Sequence, residues 1–164
     1  LFREVGATKE KVLELIRRDI NPMGGAYETL ACLQERGYGL AIISGSIDLV
    51  LHEFYGKIPF RHILINRIHW AENGEVAGGD ATQYDFGGKA TGLIEIARRE
   101  GIQPEACGFV GDNYNDLEAI DTAGVGIAFN SKSDDINKVA KAVIPGGDLR
   151  KILPFFPPFD RVIS

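Results

Sequence analysis

The stretch Gly108-Phe109-Val110-Gly111-Asp112-Asn113-Tyr114-Asn115-Asp116 reads as a short apolar strand running into an acidic cluster, with two carboxylates and two amides inside five residues. From Asp116 to Ala123 the pattern continues as a helix, stopped by Gly124. The cluster therefore falls at a strand end and a helix start. Carboxylate oxygens are the ligands magnesium prefers. The same residues also suit a capping aspartate and a turn, which are common at strand–helix junctions.

Working outward, the chain alternates strands and helices. Thr8 caps a helix through about Arg18, with Val12, Leu13, Leu15 and Ile16 as an apolar stripe, and Asn21-Pro22 breaks it. A second helix covers Ala26 to Arg36, with Leu30, Cys32 and Leu33 inward and Gly37 as a left-handed stop. Leu40-Ala41-Ile42-Ile43 is a buried strand entering the small-residue turn Ser44-Gly45-Ser46, and Ile47 to Tyr55 is the next helix. His62 to Trp70 alternates as a strand does, Asn73-Gly74 is a hairpin turn, and Glu75 to Ala77 returns. Ala90 to Arg99 is an amphipathic helix closed by Gly101. Beyond the opening stretch come a strand at Val125 to Phe129, a helix at Ile136 to Lys141 and a last strand at Ala142 to Ile144.

This order predicts an α/β fold, a mostly parallel sheet covered by helices on both faces. Ligands of such sheets bind beyond the carboxyl ends of the strands, where Ser44 and Asp112 fall. The apolar, proline-rich tail Phe155-Phe156-Pro157-Pro158-Phe159 is expected to lie along the domain surface.

Composition bounds the function. The chain has 164 residues with 45% hydrophobic and 25% charged, an ordinary globular balance. The net charge of −5 offers no basic field to nucleic acid, so phosphate binding has to come from local groups. No apolar run is long enough to span a bilayer, and no signal-peptide pattern opens the sequence. Cys32 and Cys107 sit in apolar runs without a Cys-x-x-Cys spacing and are expected to be buried thiols of a cytoplasmic protein. His52, His62 and His69 do not cluster at metal-ligand spacing.

Two further elements carry chemistry. In Ile42-Ile43-Ser44-Gly45-Ser46, a hydroxyl and backbone N–H groups at a helix start can hold a phosphate, although a serine there also suits a plain N-cap. Lys89, after Gly87-Gly88 at the start of a helix, can neutralise a phosphate as a point charge, or stand solvated at the surface.

Taken together, the hydroxyl, the lysine and the acidic cluster resemble, in order and spacing, the second, third and fourth motifs of the haloacid dehalogenase superfamily, and its phosphoserine phosphatase-like branch in particular. Surrounding residues are similar too: Gly25-Ala26-Tyr27-Glu28-Thr29-Leu30 and Glu35-Arg36-Gly37-Tyr38 before the serine, Asn66-Arg67 with Asn73-Gly74 in the hairpin, Gly126-Ile127-Ala128-Phe129-Asn130 and Asp148-Leu149-Arg150-Lys151-Ile152-Leu153 towards the end. The resemblance runs from about Ala7 to Leu153.

It implies a Rossmann-like three-layer α/β/α core over residues 20–154, the end of a small helical cap over residues 1–19, and an apolar tail over 155–164. It also implies a magnesium-dependent phosphomonoester hydrolase working through an aspartyl-phosphate. Ser44 would bind the transferring phosphoryl group with the Gly45 N–H, and Lys89 would neutralise its charge. Asp112 would ligate Mg2+, and Asn115 and Asp116 would orient water, phosphate or Lys89. Positioning and charge stabilisation dominate such chemistry.

One departure stands out. The family's first motif, Asp-x-Asp-x-Thr, supplies the nucleophile from a central strand, and no Asp-x-Asp occurs in these 164 residues. The chain opens on Leu1 and its one methionine is Met23. The expectation is therefore a piece of a longer protein, inactive by itself, with the central strand missing between the strands that end at Ser44 and Asp112. Two alternatives remain: a phosphate- and metal-binding module without a nucleophile, or a subunit whose missing strand comes from another chain or copy.

Overall fold

The structure is a computed structural model that describes residues 6–84 and 87–159. Among the described residues, six helices and six strands follow the expected alternation. The first helix, α1 (Lys9–Asp19), starts where the Thr8 hydroxyl accepts the Lys11 N–H, and it ends at an extended Ile20. Val12 and Ile16, one turn apart, are buried against Leu49. Leu15 is 48% exposed, so the apolar stripe is narrower than its sequence suggests.

Helix α2 (Ala26–Glu35) buries Leu33 and leads through Gly37 at φ 93° into strand β1 (Ala41–Ile47). Helix α3 (Asp48–Tyr55), strand β2 (His62–Trp70) and strand β3 (Val76–Asp80) follow. The turn between β2 and β3 places Gly74 at φ 81°, a region that favours glycine. Next come α4 (Lys89–Glu100), β4 (Gly108–Gly111), a 3-10 turn at Tyr114–Asp116 and α5 (Leu117–Thr122). Strand β5 (Val125–Phe129), helix α6 (Asp134–Val139), strand β6 (Ala142–Ile144) and a 3-10 segment at Leu149–Phe155 complete the described chain.

The strands form two pieces, β1-β2-β3 and β4-β5-β6. β1 and β2 are parallel, β2 and β3 form the antiparallel hairpin, and β4, β5 and β6 are all parallel. Successive side chains of a strand point to opposite faces, and β5 shows what each face meets. Ile127 and Phe129 join a core with Leu33, Leu40, Ile144, Ile152 and Phe156. Ala128 faces the other way, onto Ile120 of α5 and Ile136 of α6. Apolar layers on both faces of a parallel strand make the three-layer α/β/α architecture that the sequence predicts.

Between the two sheet pieces lies an apolar cleft of about 670 Å3. Ile42 and Ile43 of β1 line one side, and Phe109 and Val110 of β4 line the other. Leu93 and Ile96 of α4 close one layer, and Leu33 and Ile152 close the opposite one. β1 pairs only with β2, and β4 only with β5, so each keeps one open backbone edge among the described residues.

Two expectations need correction. Cys32 and Cys107 are half-buried rather than buried. Cys107 lines the cleft, where desolvation, aided by Glu105, holds its thiol above the usual range. The tail is not all surface either. Phe156 is 7% exposed within the core, while Phe159 is exposed and its ring lies 4.6 Å from that of Tyr38. Arg36 Nη1 donates to the carbonyls of Leu153 and Phe156, and Tyr38 Oη donates to that of Pro157.

Candidate active site

The cluster after β4 is built on Gly111. A Cβ there would stand 2.5 Å from both Cβ and Cγ of Asp116, so a glycine is what lets the Asp116 side chain fold over the strand end. The 3-10 turn Tyr114–Asp116 brings it there. Asn113 caps that turn, its side chain accepting the Tyr114 N–H at 2.8 Å, and the Asp116 N–H donates to the Asn113 carbonyl. Helix α5 consequently begins at Leu117, one residue later than the sequence suggests.

Asp116 is 3% exposed and its two oxygens serve different partners. Oδ2 accepts the N–H groups of Asp112 and Asn113, both at 3.0 Å. Oδ1 accepts Lys89 Nζ at 2.6 Å. Lys89 is itself 9% exposed, so the solvated-lysine alternative does not hold. Its entry to the interior depends on the preceding glycines: Gly87 has φ 82°, and a Cβ on Gly88 would meet the Gln83 carbonyl oxygen at 2.6 Å. Buried charges need partners of opposite sign with good hydrogen bonds, and this pair meets both needs.

Asp112, by contrast, is exposed at the strand end, and Asn115 is half-buried in the turn. With the Asp116 oxygens committed to Lys89 and the backbone, Asp112 is the carboxylate of this cluster that can offer oxygens to a cation. Among the described residues there is no group of three or more His, Cys, Asp or Glu side chains that could hold a metal ion. Asp112 alone fits one position of an octahedral oxygen shell, with water and a phosphate oxygen able to fill others. His62 and His69 are engaged with Glu100 and Asp80, away from this cluster.

Ser44 and Gly45 form a second group within β1, which runs on to Ile47 and does not end at Ser44 as the sequence suggests; the serine sits where regular pairing with β2 breaks, four residues before α3. The Ser44 hydroxyl oxygen accepts the Ser46 N–H at 3.1 Å. The Gly45 carbonyl accepts from Asn66 Nδ2 at 2.7 Å. Asp48, the first residue of α3, accepts the Ile68 N–H and so fastens the helix start to β2. The structure thus joins Lys89, Asp116 and the Asp112–Asn113 backbone into one cluster, and it leaves Ser44 and Gly45 in a separate turn across the cleft. Asn66 and the close packing at Gly111 had no assigned role from the sequence. The small-residue spacing Gly-Asp-x-x-x-Asp was the available signal for Gly111, whereas Asn66 stood in the sequence only as one of the resembling residues and its two partners come from the fold.

The profile of haloacid dehalogenase-like hydrolases matches residues 2–124. The chain belongs to this family. Within it, the chain is similar to the phosphoserine phosphatase of Methanocaldococcus jannaschii, 34% identical over 149 residues that make up 89% of this chain and 68% of the relative. It is 37% identical over 123 residues to the phosphoserine phosphatase of Archaeoglobus fulgidus, covering 74% of this chain and 36% of that protein. Among solved structures, a phospho-aspartyl intermediate analogue of phosphoserine phosphatase superposes with a TM-score of 0.79 at 33% identity, over 92% of this chain and 71% of the other. A substrate-bound phosphoserine phosphatase complex matches with the same score and coverage. The haloacid dehalogenase-like fold and the phosphoserine phosphatase-like branch therefore stand on both sequence and structure. No helix among the described residues is long and apolar enough to cross a membrane.

Proposed function

We propose that this chain belongs to a cytoplasmic, Mg2+-dependent phosphomonoester phosphatase that works through an aspartyl-phosphate. The observation that carries the reading is the buried Lys89–Asp116 pair set beside the exposed Asp112 at the end of β4. An ammonium fixed by a buried carboxylate presents charge without needing to reorganise, which is how enzymes stabilise charge that develops in a transition state.

Ser44 Oγ accepts the Ser46 N–H through a lone pair and keeps its own O–H to donate to a phosphoryl oxygen, and the Gly45 N–H donates to another. Lys89, held by Asp116 Oδ1 at 2.6 Å, balances the charge on the phosphoryl group. Asp112 holds the cation, with Asn115 at the edge of the site to orient phosphate or water. Mg2+ in that position would neutralise phosphate charge. The nucleophilic aspartate is supplied from outside these 164 residues, which contain no Asp-x-Asp.

The cleft between β1 and β4 favours one particular form of this reading, in which a strand inserted there completes the sheet and delivers that aspartate. The insert would be apolar on both faces, because the cleft has apolar walls in both layers. In this respect the chain acts as a subunit that needs strand complementation, by a segment of its own protein or by another chain or copy. The test is an aryl phosphate assay of the chain with Mg2+, alone and with a peptide carrying an apolar run that ends in Asp-x-Asp-x-Thr. Hydrolysis only on mixing, lost in Lys89→Ala, supports the reading. Hydrolysis by the chain alone overturns it.

A further inference from the structure

β1 and β2 keep parallel register through Ser44↔Ile65, and the next pair is Ile47↔Asn66. Gly45 and Ser46 are therefore extra residues on β1, and the backbone bows out of the ladder at the turn that carries Ser44. The Asn66 side chain takes over there. Its Nδ2 donates to the Gly45 carbonyl and its Oδ1 accepts the Thr82 N–H, both at 2.7 Å. Because one partner is a C=O and the other an N–H, the orientation of the amide is fixed.

Each end of this bridge leads to a candidate phosphate group. The Gly45–Ser46 peptide is held at its carbonyl by Asn66 and at its N–H by the Ser44 hydroxyl. On the other side, the Thr82 hydroxyl accepts the Tyr84 N–H, and Gly88 rests against Gln83 and Tyr84 immediately before Lys89.

We propose that Asn66 is a positioning residue that ties the Ser44–Gly45 turn to the segment entering Lys89, so that both meet the same phosphate. The inference rests on the reading of Ser44, Gly45 and Lys89 as the phosphate-binding group. Asparagine supplies what the two partners require together. Aspartate keeps the acceptor and loses the donor, and alanine loses both.

Inorganic phosphate titrated into the full 164-residue chain, followed through backbone amide shifts, tests it. Asn66→Ala is expected to weaken phosphate binding about threefold to tenfold, the worth of one or two neutral hydrogen bonds. Amide exchange separates positioning from general stability. Asn66→Asp speeds exchange at Ser46 and leaves Thr82 slow, whereas Asn66→Ala speeds both. If Ser44→Ala and Lys89→Ala weaken binding while Asn66→Ala leaves it unchanged, the positioning role is overturned and the site stands. If Ser44→Ala and Lys89→Ala leave binding unchanged, or the unaltered chain binds no phosphate, the underlying site reading falls and this role with it. Should Asn66→Ala fail to fold, Asn66→Asp carries the test by itself, and unchanged Ser46 exchange overturns the proposal.

Discussion

Asp116 divides its carboxylate between Lys89 and the backbone of Asp112: Oδ1 lies 2.6 Å from Lys89 Nζ and Oδ2 lies 3.0 Å from the Asp112 N–H. One buried side chain thereby fixes the first residue of α4 against the loop that follows β4. The lysine, the carboxylate and the loop form a single mechanical unit, and changes to any of them should be felt by the others.

The first prediction follows from that burial. Lys89→Ala strands the Asp116 carboxylate in a site where it is 3% exposed. Breaking a buried pair from one side typically costs about 3–5 kcal/mol. Urea unfolding of Lys89→Ala and of Asp116→Ala should each show a loss of this order, with the double variant losing less than their sum. A loss below about 1 kcal/mol, typical of exposed pairs, would mean that the pair is solvated.

Gly111→Ala should damage the same unit through sterics alone. The new Cβ would stand 2.5 Å from Cβ and Cγ of Asp116, and that carboxylate cannot retreat without losing Lys89 or the loop. Overpacking of this kind costs about 1–3 kcal/mol. Hydrogen exchange should show the Asp112 and Asn113 amides losing protection, and unchanged protection would contradict the packing described.

Asp112→Ala should separate metal binding from folding. The residue is exposed, so stability should move by no more than about 0.5 kcal/mol. Calorimetric Mg2+ binding, weak because one protein carboxylate supplies it, should vanish. Binding retained in this variant would remove Asp112 from the metal site.

The cleft between β1 and β4 predicts strand uptake. A peptide of about 5–6 apolar residues, the usual strand length, should bind to the chain and slow amide exchange along Ile42–Ser44 and Phe109–Gly111. Ile43→Asp, on the cleft wall, should abolish uptake. Protection of only one of the two edges would show that the peptide lies on the surface and does not complete the sheet.

Acid stability should carry a signature of Asp148. Hydrogen bonds from the Arg150 side chain, then from its backbone N–H, hold this carboxyl down at about 2 from its ordinary 3.8. Because the folded value is the lower one, the stabilisation is fully present above the unfolded value. It is lost as pH falls through the window from about 3.8 to about 2. Asp148→Asn keeps the shape of the cap and removes the charge, so its melting temperature should converge on that of the unaltered chain across that window. A constant offset would exclude the ion pair as the cause.

The sites differed in how far they could be read in advance. Asp112 and Asp116 stand close together in sequence, so their cluster was visible as text. What the text could not assign was which carboxylate faces solvent, because that depends on Gly111 admitting the Asp116 side chain over the strand end. Lys89 read as a surface lysine when taken by itself, since burial of a cation depends on a partner 27 residues away. Asn66 lies in a strand whose alternation was legible, but its role arises from a register slip between β1 and β2 that no single strand encodes.

The sequence by itself determined the order of helices and strands, the hairpin turn at Asn73-Gly74 and the membership signalled by the Ser44, Lys89 and Asp112 elements. Those depend on local rules: side-chain period, glycine at positive φ, and short motifs at strand ends. The tertiary structure alone decided that Lys89 is buried on Asp116, that Asn66 bridges two distant segments, and that an apolar cleft separates β1 from β4. Each is a contact between residues far apart in the chain, set by how strands register and helices pack, and such contacts exist only once the chain has folded.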